Sequence, residues 1–247
     1  LYDIIILDEA SQLRIEDVYS LLFRAKSHVI SGDEHQMPPS SYFSSDITLS
    51  EETENIEEEK DIFLAQSSSL LEFASDAGYF PTYLDFHYRS QHPDLIAFSN
   101  SGIYQSRLVP MPVKKSYQCM SFHAINGTYQ DSVNIEEAQA IVNYLFQLAA
   151  EQEDKMPSIG IGTLNIQQRD TIQDLIWEQA YLDPKKGQLL DAMNQSGLFI
   201  KNLENIQGDE RDIILIGTTF GMDNKESFRQ NFGPINRQKG YQLLNVL

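Results

Sequence analysis

Tyr2-Asp3-Ile4-Ile5-Ile6-Leu7-Asp8-Glu9-Ala10-Ser11-Gln12 is an apolar run that stops abruptly at two adjacent carboxylates. A continuous run of this kind is what a strand buried on both faces of a parallel sheet requires. A second run, His28-Val29-Ile30-Ser31, ends in Gly32-Asp33-Glu34-His35-Gln36-Met37-Pro38-Pro39. Between them, Ile15 to Ala25 has helical spacing, with Val18, Leu21 and Leu22 on one face. In an open parallel sheet, ligands lie outside the carboxyl ends of the strands. Asp8, Glu9 and the loop opening at Gly32 are therefore expected at the end where chemistry is done.

The alternation continues downstream. Ser69 to Ala77 reads as a helix, and Gly78 and Pro81 mark a boundary. Thr82 to Phe86 reads as a strand, and Pro93 to Asn100 as a helix with Pro in its first turn. Tyr117 to Ala124 is a further strand. Asn134 is placed to cap a helix running to about Ala150, with Glu136 and Glu137 in its first turn. Ser158 to Thr163 is a strand, Ile166 to Ala180 a helix, and Leu198 to Leu203 and Asp212 to Thr218 are strands. Strand and helix alternate throughout, which predicts an α/β fold. Ser44 to Gln66 breaks the pattern. It is rich in Ser, Thr and Glu, and reads as a flexible acidic insertion.

The chain has 247 residues and a net charge of −18. Glu51 to Asp61 holds seven acids and one Lys, a third of that total. So acidic a chain is not a simple basic nucleic-acid-binding module, although a local basic groove can still hold a strand. The single cysteine, Cys119, excludes a disulfide framework and a Cys-based zinc site and suits the cytoplasm. No apolar run approaches the ~18 residues of a membrane span, so no membrane partner is expected. The chain opens inside a strand pattern without Met or a signal peptide, and closes in the apolar run Leu243-Leu244-Asn245-Val246-Leu247. Both ends read as lying inside a longer polypeptide.

Two neighbouring carboxylates at a strand end can hold Mg²⁺ and orient a water, and a second loop can bring Gln36 to the same point. Together they form one half of a nucleoside triphosphatase site. The other half, a Gly-rich turn ending in Gly-Lys-Ser/Thr that cradles phosphate, is missing. None of the thirteen glycines is followed by Lys. His87 and His92 do not make a convincing metal pair, so the expected metal is Mg²⁺ alone.

Five blocks in order resemble the superfamily 1 helicases. They are Asp8–Gln12; Gly32–Pro39; His87-Tyr88-Arg89-Ser90 with Leu95-Ile96-Ala97-Phe98-Ser99-Asn100; Ile159-Gly160-Ile161-Gly162-Thr163 with Asn165 and Gln168; and Leu203 to Asp212, containing Gln207-Gly208-Asp209-Glu210. They resemble the branch of the nonsense-mediated-decay helicases, and more closely the large prokaryotic helicase-like proteins. A sixth block, Phe232-Gly233-Pro234 to Leu244-Asn245-Val246, is similar to the family's last motif up to its Thr-Arg-Ala. It departs from the pattern at Gln242 and Leu243, where the family carries basic residues.

The resemblance implies a P-loop NTPase built from two RecA-like lobes, with parallel sheets flanked by helices. The first, residues 1–79, lacks its P-loop strand and helix and carries the insertion at 44–66. The second covers residues 80–247. It implies an ATP-dependent helicase or translocase acting on single-stranded DNA or RNA, with ATP and Mg²⁺ as cofactors. The P-loop segment of the same polypeptide is then a required partner, and this stretch alone is expected not to turn over ATP. Asp8 resembles the Mg²⁺ ligand and Glu9 the base that orients water. Gln36 resembles the γ-phosphate sensor, and Arg89 an arginine finger. Gly208 and Glu210 resemble nucleotide-holding positions. Ser99, Asn100, Thr163 and Asn165 resemble residues lining the nucleic-acid channel, where small polar groups meet phosphate or sugar. The rival from another class is a degenerate helicase core that scaffolds nucleic acid or protein without ATPase activity.

Overall fold

The computed structural model describes residues 1–39, 67, 69–113, 117–152, 155–225, 227–228, 231–236 and 240–245. The acidic insertion expected at 44–66 lies outside the described residues. The described chain forms two compact units, residues 1–119 and 120–247.

In the first unit, β1 (Tyr2–Leu7) and β2 (Ala25–Ile30) pair in parallel, with Ile5 opposite His28 and Leu7 opposite Ile30. The crossover is helix α1 (Ile15–Leu22). Helix α2 (Leu70–Asp76) starts at Ser69, whose hydroxyl accepts the Glu72 N–H at 3.3 Å. Leu7, Ala10, Val18 and Leu70 form the core between these elements. The expectation of a strand buried on both faces is corrected here. Leu7 is buried and Ile5 half-buried towards the helices, whereas Tyr2, Ile4 and Ile6 alternate onto the other face and are exposed. Side chains two apart share a face, and among the described residues nothing covers that one.

Helix α3 (Pro93–Gly102) begins with Pro at its first position, as predicted, and β3 (Phe86–His87) pairs in parallel with β4 (Val109–Pro110). The strand predicted at 82–86 shortens to Phe86–His87, and no strand forms over 117–124. Tyr83, Leu84, Phe86, Tyr117, Met120 and Phe122 are exposed, so burial does not stabilise a ladder over either stretch. Residues 80–119, which the sequence reading assigns to the second lobe, group by contact with the first unit. One bond holding them there joins Tyr104 to Asp33.

The second unit is built on a three-stranded parallel sheet in the order β8-β7-β9, comprising β7 (Ile159–Thr163), β8 (Phe199–Asn202) and β9 (Ile213–Gly217). Central β7 is buried along its whole length. Gly160 is required there, since a Cβ would lie 2.3 Å from the Phe199 ring. Helix α4 (Ile135–Ala150) is capped by Asn134, which accepts the Glu137 N–H at 3.0 Å, as predicted. Helix α5 (Ile166–Leu182) is capped by Asn165. Helix α6 (Pro184–Gln195) was not anticipated; its pattern is mostly polar and its start is set by Pro184 and the Asp183 cap. Val142, Leu145, Phe146, Ile159, Ile161, Ile172 and Met193 form the core between sheet and helices. A short hairpin, β5 (Tyr129–Gln130) with β6 (Val133–Asn134), precedes α4, and α7 (Tyr241–Asn245) lies near the end of the chain. The result is an α/β protein with parallel sheets flanked by helices.

Candidate nucleotide site

The first unit brings the two diagnostic loops together. Ser31 donates its N–H to Leu7 O, and Ala10 donates its own to Ser31 O, both at 2.8 Å. The turn after β1 is thereby fastened to the turn after β2. Gly32 makes this approach possible. A Cβ there would lie 3.0 Å from Ser11 N and 3.2 Å from Ala10 N. Gly32→Ala is therefore expected to destabilise the fold by about 1–3 kcal/mol, the usual range for overpacking. Chemical denaturation checks this, and an unchanged midpoint would contradict the close approach.

Asp8 and Glu9 are both exposed at the end of β1. Asp8 Oδ1 accepts the Glu9 N–H at 2.9 Å, and Gln12 Nε2 donates to Glu9 Oε2 at 3.3 Å. Glu9 has φ +52°, a left-handed conformation uncommon for a residue with a side chain. Such strain concentrates at functional turns. Nothing in the residue types around Glu9 signals this conformation. Ser11 is buried, and its Oγ has no hydrogen-bond partner among the described residues. The set thus offers carboxylate and hydroxyl oxygens, the hard donors that Mg²⁺ takes.

Gln36 lies on the adjoining loop. Its N–H bonds Asp33 O at 3.1 Å, and its Nε2 donates to Asp33 Oδ2 at 3.2 Å. Arg89 is exposed within a tight turn. His87 Nε2 lies 2.7 Å from Ser90 Oγ and accepts the Ser90 N–H at 3.2 Å, which closes the turn behind Tyr88 and Arg89. Asp85, four positions before Arg89, pairs with Arg107 at 2.8 Å. Arg107 also stacks over the Tyr83 ring.

Burial, and secondarily the Arg89 charge, hold the His87 pKa below its ordinary 6.5. The folded state therefore binds this proton less readily than the unfolded chain. His87's contribution to stability is intact above pH 6.5 and is lost as pH falls through the folded pKa. His87→Gln is expected to reduce the decline in thermal midpoint between about pH 7 and pH 5. An identical decline in both proteins would contradict it.

Gly208 and Glu210 lie in the second unit. Gly208 has φ +85°, and no atom lies within 4 Å of where a Cβ would be. Glu210 is exposed. The segment is anchored on both sides. Lys201 bonds Asp209 at 2.5 Å, and Arg211 donates to Gly197 O at 2.6 Å over the Phe199 ring. The four residues expected to line a nucleic-acid channel have internal work. Asn100 bonds both backbone groups of Leu108, and Ser99 is buried. Thr163 is buried and donates to Asn165 O, while Asn165 caps α5 and donates to Ser132 O. Among the described residues, His92, Asp94 and Cys119 also bring donor atoms within 4.8 Å of one another. His92 Nδ1 is already spent on the Asp94 N–H, at 3.2 Å, at the start of α3.

The carboxylates and the glutamine loop thus stand at the ends of two adjacent parallel strands in an α/β scaffold. The chain belongs to the AAA domain family, which matches residues 66–231. It is homologous to proteins named as helicases. The uncharacterized ATP-dependent helicase MG140 of Mycoplasma genitalium is 37% identical over the whole of this chain, and its homolog in Mycoplasma pneumoniae is 35% identical. Helicase SEN1 of Saccharomyces cerevisiae is 25% identical over 95% of the chain. The chain spans 22% of the length of each mycoplasma relative and 10% of the yeast protein. Among the described residues, no helix is long and apolar enough to cross a membrane.

Proposed function

We propose that the polypeptide carrying this stretch is an ATP-dependent helicase or translocase that couples ATP hydrolysis to movement on single-stranded DNA or RNA. The observation that carries the reading is the junction at Gly32, which sets the Asp8-Glu9 turn against the Gln36 loop. Asp8, with Ser11 beside it, would hold Mg²⁺, and the ion would supply charge neutralisation at the phosphates. Glu9 orients the attacking water. Gln36 and Arg89 meet the γ-phosphate, and Gly208 and Glu210 hold the nucleotide. Ser99, Asn100, Thr163 and Asn165 are the proposed contacts to phosphate or sugar of the strand. The names of the homologous helicases support the assignment.

The test is phosphate release by the intact parent polypeptide, with and without single-stranded DNA or RNA. Strand-stimulated release supports the enzyme. A second reading has one observation in its favour: Gln242 is buried where the resemblance places a basic residue. A parent that binds strand tightly and releases no phosphate would be a scaffold built on a helicase core.

A further inference from the structure

We infer that Tyr104 is a positioning residue for the Gln36 loop, and that Asn100 holds Tyr104 in place. This deepens the reading of Gln36 as the γ-phosphate sensor and rests on it.

Backbone strain marks the turn that follows α3. Gln105 and Ser106 have φ +55° and +60°, two successive left-handed residues, neither of them glycine. Such residues persist only where their surroundings over-determine them. The determinant here is Asn100. Its Nδ2 donates to Leu108 O at 2.8 Å, its Oδ1 accepts the Leu108 N–H at 2.9 Å, and its own carbonyl accepts the Ser106 N–H at 2.7 Å. The Tyr104 N–H bonds Ser99 O at 3.0 Å, which completes the clamp at the end of α3.

The clamped turn presents Tyr104 to the Gly32–Pro39 loop. The Tyr104 hydroxyl donates to Asp33 Oδ2 at 2.5 Å, and the ring meets His35 edge-on at 5.3 Å. Asp33 organises that loop: Oδ1 accepts the His35 N–H at 2.9 Å, and Oδ2 also accepts Gln36 Nε2 at 3.2 Å. Tyr104 and Gln36 therefore share one carboxylate oxygen. A glutamine that leaves Asp33 to meet a phosphate would strand a part-buried acceptor, which is costly. The Tyr104 hydroxyl keeps Oδ2 satisfied while Gln36 moves. It also holds the loop backbone in the place from which the amide must reach.

The experiment uses the intact parent with Tyr104→Phe, which keeps the ring and removes only the hydroxyl, and with Asn100→Ala, which releases the turn. Two readouts are taken: hydrogen exchange at residues 33–37, and kcat with the ATP dissociation constant. Faster exchange at His35 and Gln36, together with a kcat about tenfold lower at unchanged ATP affinity, is expected for Tyr104→Phe. Unchanged exchange in the loop would overturn the brace. Faster exchange with normal kcat would overturn the positioning role. A wild-type parent without ATPase activity would sink the proposed function, and with it the sensing role of Gln36. The exchange comparison would still decide whether Tyr104 braces the loop.

Discussion

Arg89→Ala in the intact parent is expected to lower kcat for ATP by about 10³-fold or more, and to weaken ATP binding far less. An arginine that meets the transferring phosphoryl group stabilises charge that develops only in the transition state. The structure presents Arg89 in a manner suited to this. It is exposed at the tip of a turn closed by His87 and Ser90. Asp85, four positions earlier, is engaged by Arg107. Arg89→Lys is expected to rescue poorly, because an ammonium lacks the planar fork. Measuring kcat and thermal midpoint on the same preparations separates finger from scaffold. Near-normal turnover with a lowered midpoint would remove Arg89 from the catalytic machinery.

Glu9→Gln is expected to lower kcat by about 10²–10⁴-fold, the range for loss of a positioned general base. The substitution is isosteric and keeps an oxygen for the Gln12 amide that now donates to Glu9 at 3.3 Å. The left-handed turn at residue 9 should be preserved as well, so folding and ATP binding should survive. Nucleotide affinity measured beside single-turnover hydrolysis gives the decisive comparison. If both fall together, Glu9 holds the turn and does not activate water. If neither falls, the base is elsewhere.

Much of the scaffold is legible in the residue pattern. Strand β1, the Asn134 cap, the helix starts at Ser69 and Ile166, Pro93 at the head of α3 and the three strands of the second sheet follow from local pattern. Cap chemistry and periodicity are properties of a few neighbouring residues, so one sequence contains them. What was not legible depends on distant partners. The bare face of β1 could not be told from a covered one, because Tyr2, Ile4 and Ile6 are apolar in either case. The grouping of residues 80–119 with the first unit depends partly on Tyr104 meeting Asp33, 71 positions away. Within the candidate site, Asp8, Glu9, Gln36 and Arg89 are proposed from motif order. The left-handed Glu9, the buried Ser11 hydroxyl and the pairing of Asp85 with Arg107 could not. The four residues read as channel-lining show the converse: Asn and Thr in a motif signal polarity, and polarity serves a cap as readily as a ligand.

In the second unit one carboxylate gathers three parts of the chain. Glu137 accepts the backbone N–H groups of Thr218 and Thr219 just beyond β9, at 2.9–3.0 Å, and the side-chain amide of Gln168 from α5 at 2.9 Å. Gln168, fully buried, returns bonds to both backbone groups of Asn134, the residue that caps the helix bearing Glu137. Neither side chain can be exchanged without leaving the other short of a partner in a place that water does not reach freely. For anyone recombining this domain with a relative, these two positions are inherited as a unit. A crossover anywhere between residues 137 and 168 that takes one parent's acid and the other's amide divides a single structural decision between two authors.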